Sequence, residues 1–376
     1  MYRFVFWQNC LSPHQLPYIA HLLDDKRVYE VVVVTDEVVS PERKKMGWDI
    51  PTSSKQEQYI IKVSPSESEI LNLLSKDQNQ SIHLFSGINA YPFVKRALRL
   101  SLNYKIKRGI ITERPNTFKF RLANGKPLWL HKIRFYIQDR KYAKHIQYVF
   151  AMGDDAVNYF NKLGQNWKVF AFSYCTHDKT TTLPINKTKS DKLNISYIGS
   201  LSWWKNPLLI LQAIRNIPQS KVSITFIGEG AEKKNMESYI NKHKLSCVTI
   251  RNYLDNKEIP NFLNTQDILI LPSIYDGWGA VINEALTEGV YVICSSNVGA
   301  KELLKENWIG CIFNSNDKNQ LSKLINNCIH NKDFIINNRE QRINWSKQCI
   351  SGKVISQYMI DCIEGIKTIR PWFRKI

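Results

Sequence analysis

Two acids eight positions apart, Asp276 and Glu284, flank a turn that carries two glycines, Gly277-Trp278-Gly279. The run before them, 268–271, is short and wholly apolar, as in a strand covered on both faces. Pro272 ends it. Residues 280–286 have helical character, Gly289 closes that helix as a C-cap glycine does, and 290–294 is a second apolar strand. A strand–glycine loop–helix unit leaves backbone N–H groups and a positive dipole end at the loop, which is the chemistry of a phosphate site. Asp276 falls in the loop and Glu284 on the helix that the loop feeds, so both can face one ligand. The same spacing also suits an ordinary βαβ unit whose glycines only shape a turn.

Other chemistry-bearing residues sit at the ends of predicted strands. Strand 194–198 ends in Gly199-Ser200-Leu201, with Lys205 just before a helix at 207–214. Strand 222–227 ends in Gly228-Glu229-Gly230, and strand 248–253 ends in Tyr253. Nearer the start, 2–7 reads as a strand, 8–12 as a loop, and Pro13 opens a helix to about Leu23 with Ser12 as its N-cap. His14 and Gln15 stand in its first turn. Strands follow at 30–35, 58–63, 82–85, 107–112, 148–152 and 167–174, with helices between them. The fifth of these N-terminal strands ends at Glu113-Arg114-Pro115. Strands alternating with helices of this length argue for a doubly wound parallel sheet. Asp154-Asp155 has the look of a metal-binding pair but reads better as an N-cap and a first-turn acid. A helix opening at Glu302 is expected near the end of the second half.

The central stretch resembles the signature of the retaining glycosyltransferases of family 4, which have the GT-B fold. Their pattern runs Pro-Ser, an acid, Gly-Phe-Gly, an acid eight positions after the first, then Ala and later Gly. Here it reads Pro272-Ser273, Asp276, Gly277-Trp278-Gly279, Glu284-Ala285 and Gly289, with Asp for the usual Glu and Trp for the usual Phe. The resemblance implies two Rossmann-like doubly wound parallel-sheet domains facing a cleft. The N-terminal acceptor-side domain is expected at 1–176, joined by a crossing helix near 352–376. A linker is expected at 177–192 and the nucleotide-sugar domain at 193–351. By resemblance Glu284 binds the ribose hydroxyls and Asp276 meets the transferred sugar. Gly277, Trp278, Gly279 and Ala280 line the phosphate and sugar positions, Gly199, Ser200 and Gly228 belong to the neighbouring donor-binding loops, and Tyr253 ends the strand beside the nucleobase. Lys205 matches the family lysine that clamps the donor diphosphate. Ser200 stands where the family carries the partner arginine, so Lys205 and the 277–281 amides take more of that load. Glu113 stands where many members carry a histidine. It either orients the acceptor hydroxyl and takes its proton, or pairs with Arg114 in a structural role. His14 and Gln15 either contact acceptor or donor, or form a solvated first turn.

The implied reaction transfers a sugar from a UDP- or GDP-sugar to a lipid-linked glycan of a bacterial surface polysaccharide, such as O-antigen or capsule. No cofactor and no metal are expected. Two alternatives remain open: a nucleotide- or glycan-binding module without turnover, given Ser200 and the missing histidine, and a nucleotide-sugar epimerase of the same fold. Composition agrees with an enzyme of two α/β domains. The chain has 376 residues and a net charge of +19, which calls for an anionic partner. Its eight cysteines lack CxxC pairs, no run nears the roughly 18 apolar residues of a membrane span, and no signal segment is visible; a reducing cytoplasm is expected. Bases alternate with aromatics at 118–145 and again at 366–376. That composition either marks an anionic membrane surface, with Trp129, Phe135, Trp372 and Phe373 as anchors, or a solvated helix pair with core aromatics. Peripheral placement on the inner face of the plasma membrane follows from the first reading. No nucleic-acid motif accompanies the charge.

Overall fold

A computed structural model describes residues 1–48, 59–115, 133–176 and 191–374. By their contacts they form two units. One lies within Met1–Pro41, Ile50–His177 and Ser351–Pro371, the other within Glu42–Asp49, Asp178–Ile350 and Trp372–Ile376. Of the expected linker, only residues 191 and 192 are described, and Trp129 also lies outside the described residues.

The first unit is built on seven strands: β1 (Tyr2–Cys10), β2 (Val28–Glu37), β3 (Ile60–Val63), β4 (Ser81–Phe85), β5 (Lys107–Glu113), β6 (Tyr148–Met152) and β7 (Lys168–Phe172). They form one sheet in the order β3-β2-β1-β4-β5-β6-β7, parallel throughout. Phe4, Val5, Phe6 and Trp7 of β1 are fully buried, as a central parallel strand covered on both faces requires. The helix Glu67–Ser75 begins with a capping box, in which Ser66 Oγ accepts from the Glu69 amide and Glu69 Oε2 accepts from the Ser66 amide.

Three expectations near helix starts are corrected. β1 runs to Cys10 rather than stopping at Trp7, because Gln8 and Cys10 stay in register with Thr35 and Glu37. The first helix begins at Leu16 with Gln15 as its cap, while the Ser12 carbonyl accepts the Gln15 and Leu16 amides in a preceding turn. Gly153, at φ 84°, caps the helix Asp154–Asn161, so both aspartates lie in its first turn. Asp154 pairs with Arg370 at 2.5 Å and Asp155 with Arg114 at 3.5 Å.

The second unit has six strands: β8 (Leu193–Ile198), β9 (Val222–Ile227), β10 (Val248–Arg251), β11 (Ile268–Leu271), β12 (Tyr291–Ser295) and β13 (Gly310–Phe313). Their order is β10-β9-β8-β11-β12-β13, again parallel throughout. Glu302 does not open an α-helix; it sits buried in a short 3-10 turn, Gly299–Leu303. Two expected membrane anchors are spent in cores: Phe135 is 4% exposed and Trp372 2%. The final long helix, Gly352–Glu364, belongs to the first unit and packs on the helix Leu16–His21.

One buried polar pair in the first sheet makes its stability pH-dependent. Trp7 Nε1 donates to His83 Nδ1 at 3.0 Å, which requires an unprotonated Nδ1. Burial, with Arg3 and Arg108 nearby, holds the His83 imidazole well below its usual 6.5. The folded state therefore keeps the neutral ring while the unfolded chain takes a proton. The stabilisation is complete above pH 6.5 and is lost as pH falls below it. Urea unfolding of the first unit's signal between pH 8 and 5 should show a loss of up to about 1.4 kcal/mol per pH unit below 6.5 from this group. His83→Gln should reduce that dependence.

Candidate active site

The second sheet reverses its direction of growth between β8 and β11. From β8 the chain adds β9 and β10 on one side, then β11, β12 and β13 on the other. At such a switch point the loops leaving neighbouring strands part and open a crevice at their carboxyl ends. Lys205 leaves on the β8 side and Asp276 on the β11 side. Lys205 Nζ donates to Asp276 Oδ2 at 2.5 Å across the gap, with both side chains partly open to solvent. The loops are also tied through backbone, since the Trp204 carbonyl accepts the Ile274 amide at 2.8 Å and the Tyr275 amide at 3.3 Å. On the far side, Asn297 Nδ2 donates to the Ile274 carbonyl at 3.0 Å, and Ser295 Oγ donates to the Ser273 carbonyl.

The glycines are required by close approach. Gly228 has φ +151°, and a Cβ there would stand 1.9 Å from the Gly199 carbonyl oxygen. The ends of β8 and β9 are therefore packed backbone to backbone, and the Gly199 amide donates to the Ile227 carbonyl at 3.0 Å. Tyr253 closes this side: its hydroxyl donates to the Glu229 carbonyl at 3.2 Å. Ser200 Oγ lies 3.1 Å from Ser202 Oγ. Gly277, Gly279 and Ala280 form the turn into the helix Val281–Thr287. The Trp278 ring does not face that turn. It is fully buried, and its Nε1 donates to Asn283 Oδ1 at 2.7 Å, so only its backbone borders the loop. Glu284 sits in the first turn of the helix. Part of its surface stays open, yet desolvation by the surrounding walls pushes its carboxyl from 4.5 up to about 7.

The first unit carries its own cluster at the carboxyl edge. Glu113 ends β5, and its Oε1 accepts from the Tyr174 hydroxyl, just past β7, at 3.2 Å. The Tyr174 ring stands edge-on to His14, with centroids 6.3 Å apart. Burial and the Glu113 charge push the Tyr174 phenol well above its usual 10.0. Gln15 Oε1 accepts from Gln8 Nε2 at 2.6 Å. His14, Gln15 and Glu113 thus lie in this unit, apart in sequence from the donor-binding candidates. Tyr174, Asn297 and Asn283 were not singled out from sequence. The available signal for Tyr174 was a polar aromatic two residues past a strand at the same edge as Glu113. Among the described residues no group of three or more His, Cys, Asp or Glu is placed to hold a metal ion.

Residues 178–348 match the family model described as Glycosyl transferases group 1. The second unit carries a glycosyltransferase domain. The protein is accordingly an enzyme, a glycosyltransferase. Over 266 residues it is 25% identical to an uncharacterized 41.2 kDa protein in the cps region of Klebsiella pneumoniae, covering 68% of this chain and 71% of that protein. Over 138 residues it is 28% identical to the UDP-Gal:alpha-D-GlcNAc-diphosphoundecaprenol alpha-1,3-galactosyltransferase of Escherichia coli, covering 34% of each chain. Anabaena HepE, solved in complex with UDP, has a similar structure, with a TM-score of 0.71 at 15% identity over 96% of this chain and all of that one. The two parallel-sheet units thus have the GT-B fold.

The raised Glu284 carboxyl gives a test that needs no ligand. Its folded pKa, about 7, lies above the unfolded 4.5, so the fold penalises the ionised form. That penalty is absent below 4.5 and complete above 7. Glu284→Gln should raise the melting temperature at pH 8 by about 2–4 °C, equivalent to about 1 kcal/mol. The gain should vanish as pH approaches 4.5.

Proposed function

We propose that the protein is a retaining glycosyltransferase of family 4 that moves a sugar from a UDP- or GDP-sugar to a lipid-linked glycan in bacterial surface polysaccharide assembly. The observation that carries this reading is the Lys205–Asp276 pair, set at the β8/β11 switch point beside the Gly277–Ala280 turn. Lys205 offers the diphosphate a cation, and the turn offers it backbone N–H groups. The helix behind the turn has only seven residues, so its dipole adds little and the lysine carries most of the charge stabilisation. Asp276 accepts from hydroxyls of the transferred sugar, and Glu284 from the ribose. Glu113, steadied by Tyr174, orients the acceptor hydroxyl. As the sugar–phosphate bond breaks, the leaving phosphate oxygen takes the acceptor proton on the same face of the sugar, and the new bond keeps the anomeric configuration. UDP is the first nucleotide to try, because the Escherichia coli relative is named for UDP-Gal and the HepE structure holds UDP.

Transfer from UDP-sugars to a diphosphoundecaprenol-linked saccharide, followed by NMR of the product linkage, tests the reading. Activity should persist in excess EDTA. Asp276→Asn should lower kcat at least 100-fold with little change in UDP affinity, and Lys205→Met should lower both. Donor cleavage without an acceptor product, or an inverted linkage, would overturn it.

We further propose association with an anionic membrane surface through the first unit. Support comes from residues 133–144, where Ile133, Tyr136 and Ile137 are exposed among Arg134, Arg140, Lys141 and Lys144. Ile137 is 74% exposed. Among the described residues no helix is long and apolar enough to cross a membrane. Interfacial bases contribute about 1 kcal/mol each and are screened by salt. The protein should co-sediment with phosphatidylglycerol vesicles in low salt and detach as salt rises. Ile137→Asp combined with Lys141→Glu should reduce that binding at least fivefold; unchanged binding would remove this surface from consideration.

A further inference from the structure

Residues 42–48 follow β2 in the chain, yet by their contacts they belong to the second unit. They meet it just past β10. The Gly47 carbonyl accepts the Asn256 amide at 2.8 Å. Gly47 has φ +81°, and a Cβ there would stand 2.2 Å from the Leu254 carbonyl oxygen and 3.1 Å from Asp255 Cα. Only glycine allows so close a backbone approach at that φ. The segment also closes on itself, since the Met46 and Trp48 amides donate to the Arg43 carbonyl at 3.0 and 3.1 Å.

This anchoring sets a flat cation–aromatic pair beside the site. The Arg43 guanidinium carbon lies 4.6 Å from the Trp48 ring centroid, with Arg43 exposed and Trp48 partly so. The Arg43 charge reaches the phenol of Tyr253. Tyr253 in turn is tied to Glu229 and borders Gly228. β10 stands two strands from β8 in the sheet, so this corner is remote from the Lys205 end that takes the diphosphate. Planar rings and guanidinium planes stack on nucleobases, and an arginine fork also donates to ring carbonyls.

We propose that Arg43 and Trp48 recognise the nucleobase of the donor. The base stacks on the pair, and Arg43 N–H groups meet a base carbonyl of the kind uracil and guanine both carry. The segment 42–48 is then a specificity element of the nucleotide site, held in place by Gly47. This rests on the donor binding the second unit as proposed above.

Calorimetric titration with UDP and with inorganic pyrophosphate, which lacks the base, tests the assignment. Arg43→Ala and Trp48→Leu should each weaken UDP binding about tenfold and leave pyrophosphate binding within twofold. Their melting temperatures should match the parent, which separates lost recognition from lost folding. Lys205→Met should weaken both ligands and serves as the control on the donor site itself. If Lys205→Met affects neither ligand, the donor-site reading fails regardless of Arg43. If Lys205→Met behaves as expected while UDP binding is unchanged in both segment variants, the nucleobase assignment is wrong. An equal loss of UDP and pyrophosphate binding in Arg43→Ala also overturns it, because it would reduce Arg43 to a general attraction for anions.

Discussion

The second unit depends on how β8 and β11 are held where the sheet changes its direction of growth. Loops leaving the two strands diverge there, and a crevice with unrestrained walls would position nothing. The Lys205–Asp276 contact and the two amides on the Trp204 carbonyl restrain them. The ion pair is partly exposed, and pairs of that kind contribute at most about 1 kcal/mol to stability. Its importance is therefore geometric: it fixes a cation and a carboxylate at one spot. The backbone contact between Gly199 and Gly228 does the same on the neighbouring strand ends, because it leaves no room for a side chain.

The basic surplus divides between structure and surface. Arg3, Arg108, Arg339 and Arg342 are buried, and each turns its guanidinium onto main-chain carbonyls. Arg3 donates to Leu73 and Lys76, Arg108 to Ser101, Tyr104 and Ile106, Arg339 to Leu263 and Gln266, and Arg342 to Gly289, Trp308 and Ile335. Most of these carbonyls lie at or just past the ends of helices, where acceptors are left without a partner within the helix. Four arginines out of 52 basic residues leave the charge of +19 largely unexplained by the cores. The remainder is available to phosphates and to an anionic surface.

Most strand positions and the glycine turns were legible in the sequence because parallel strands read as short apolar runs ended by glycine or proline. The order of the strands in each sheet carries no local signal. The capping box at Ser66 has its local signal in a Ser followed three positions on by Glu. The aromatics that sequence misplaced share one physical cause: local pattern does not say which aromatic is used in the core. Phe135 and Trp372, set among bases, look like interfacial anchors, yet both fill cores. Trp278 sits between glycines as though lining a ligand, yet its ring turns inward to Asn283. The segment 42–48 carried no signal at all, since its importance comes from Gly47 meeting Leu254, more than 200 positions on.

The Lys205–Asp276 contact also limits how the proposed chemistry can be ordered. The ammonium that the diphosphate needs is the one now held on Asp276, and Ser200 supplies no second charge in its place. One ammonium has three donors, so it can keep Asp276 only while giving its remaining donors to phosphate oxygens. A dianionic diphosphate outcompetes a single carboxylate for that charge. As Lys205 turns to it, Asp276 is released to accept from sugar hydroxyls. Binding the diphosphate and freeing the sugar-binding carboxylate then become one event, because the group that meets the phosphates is the one that restrains the group that meets the sugar.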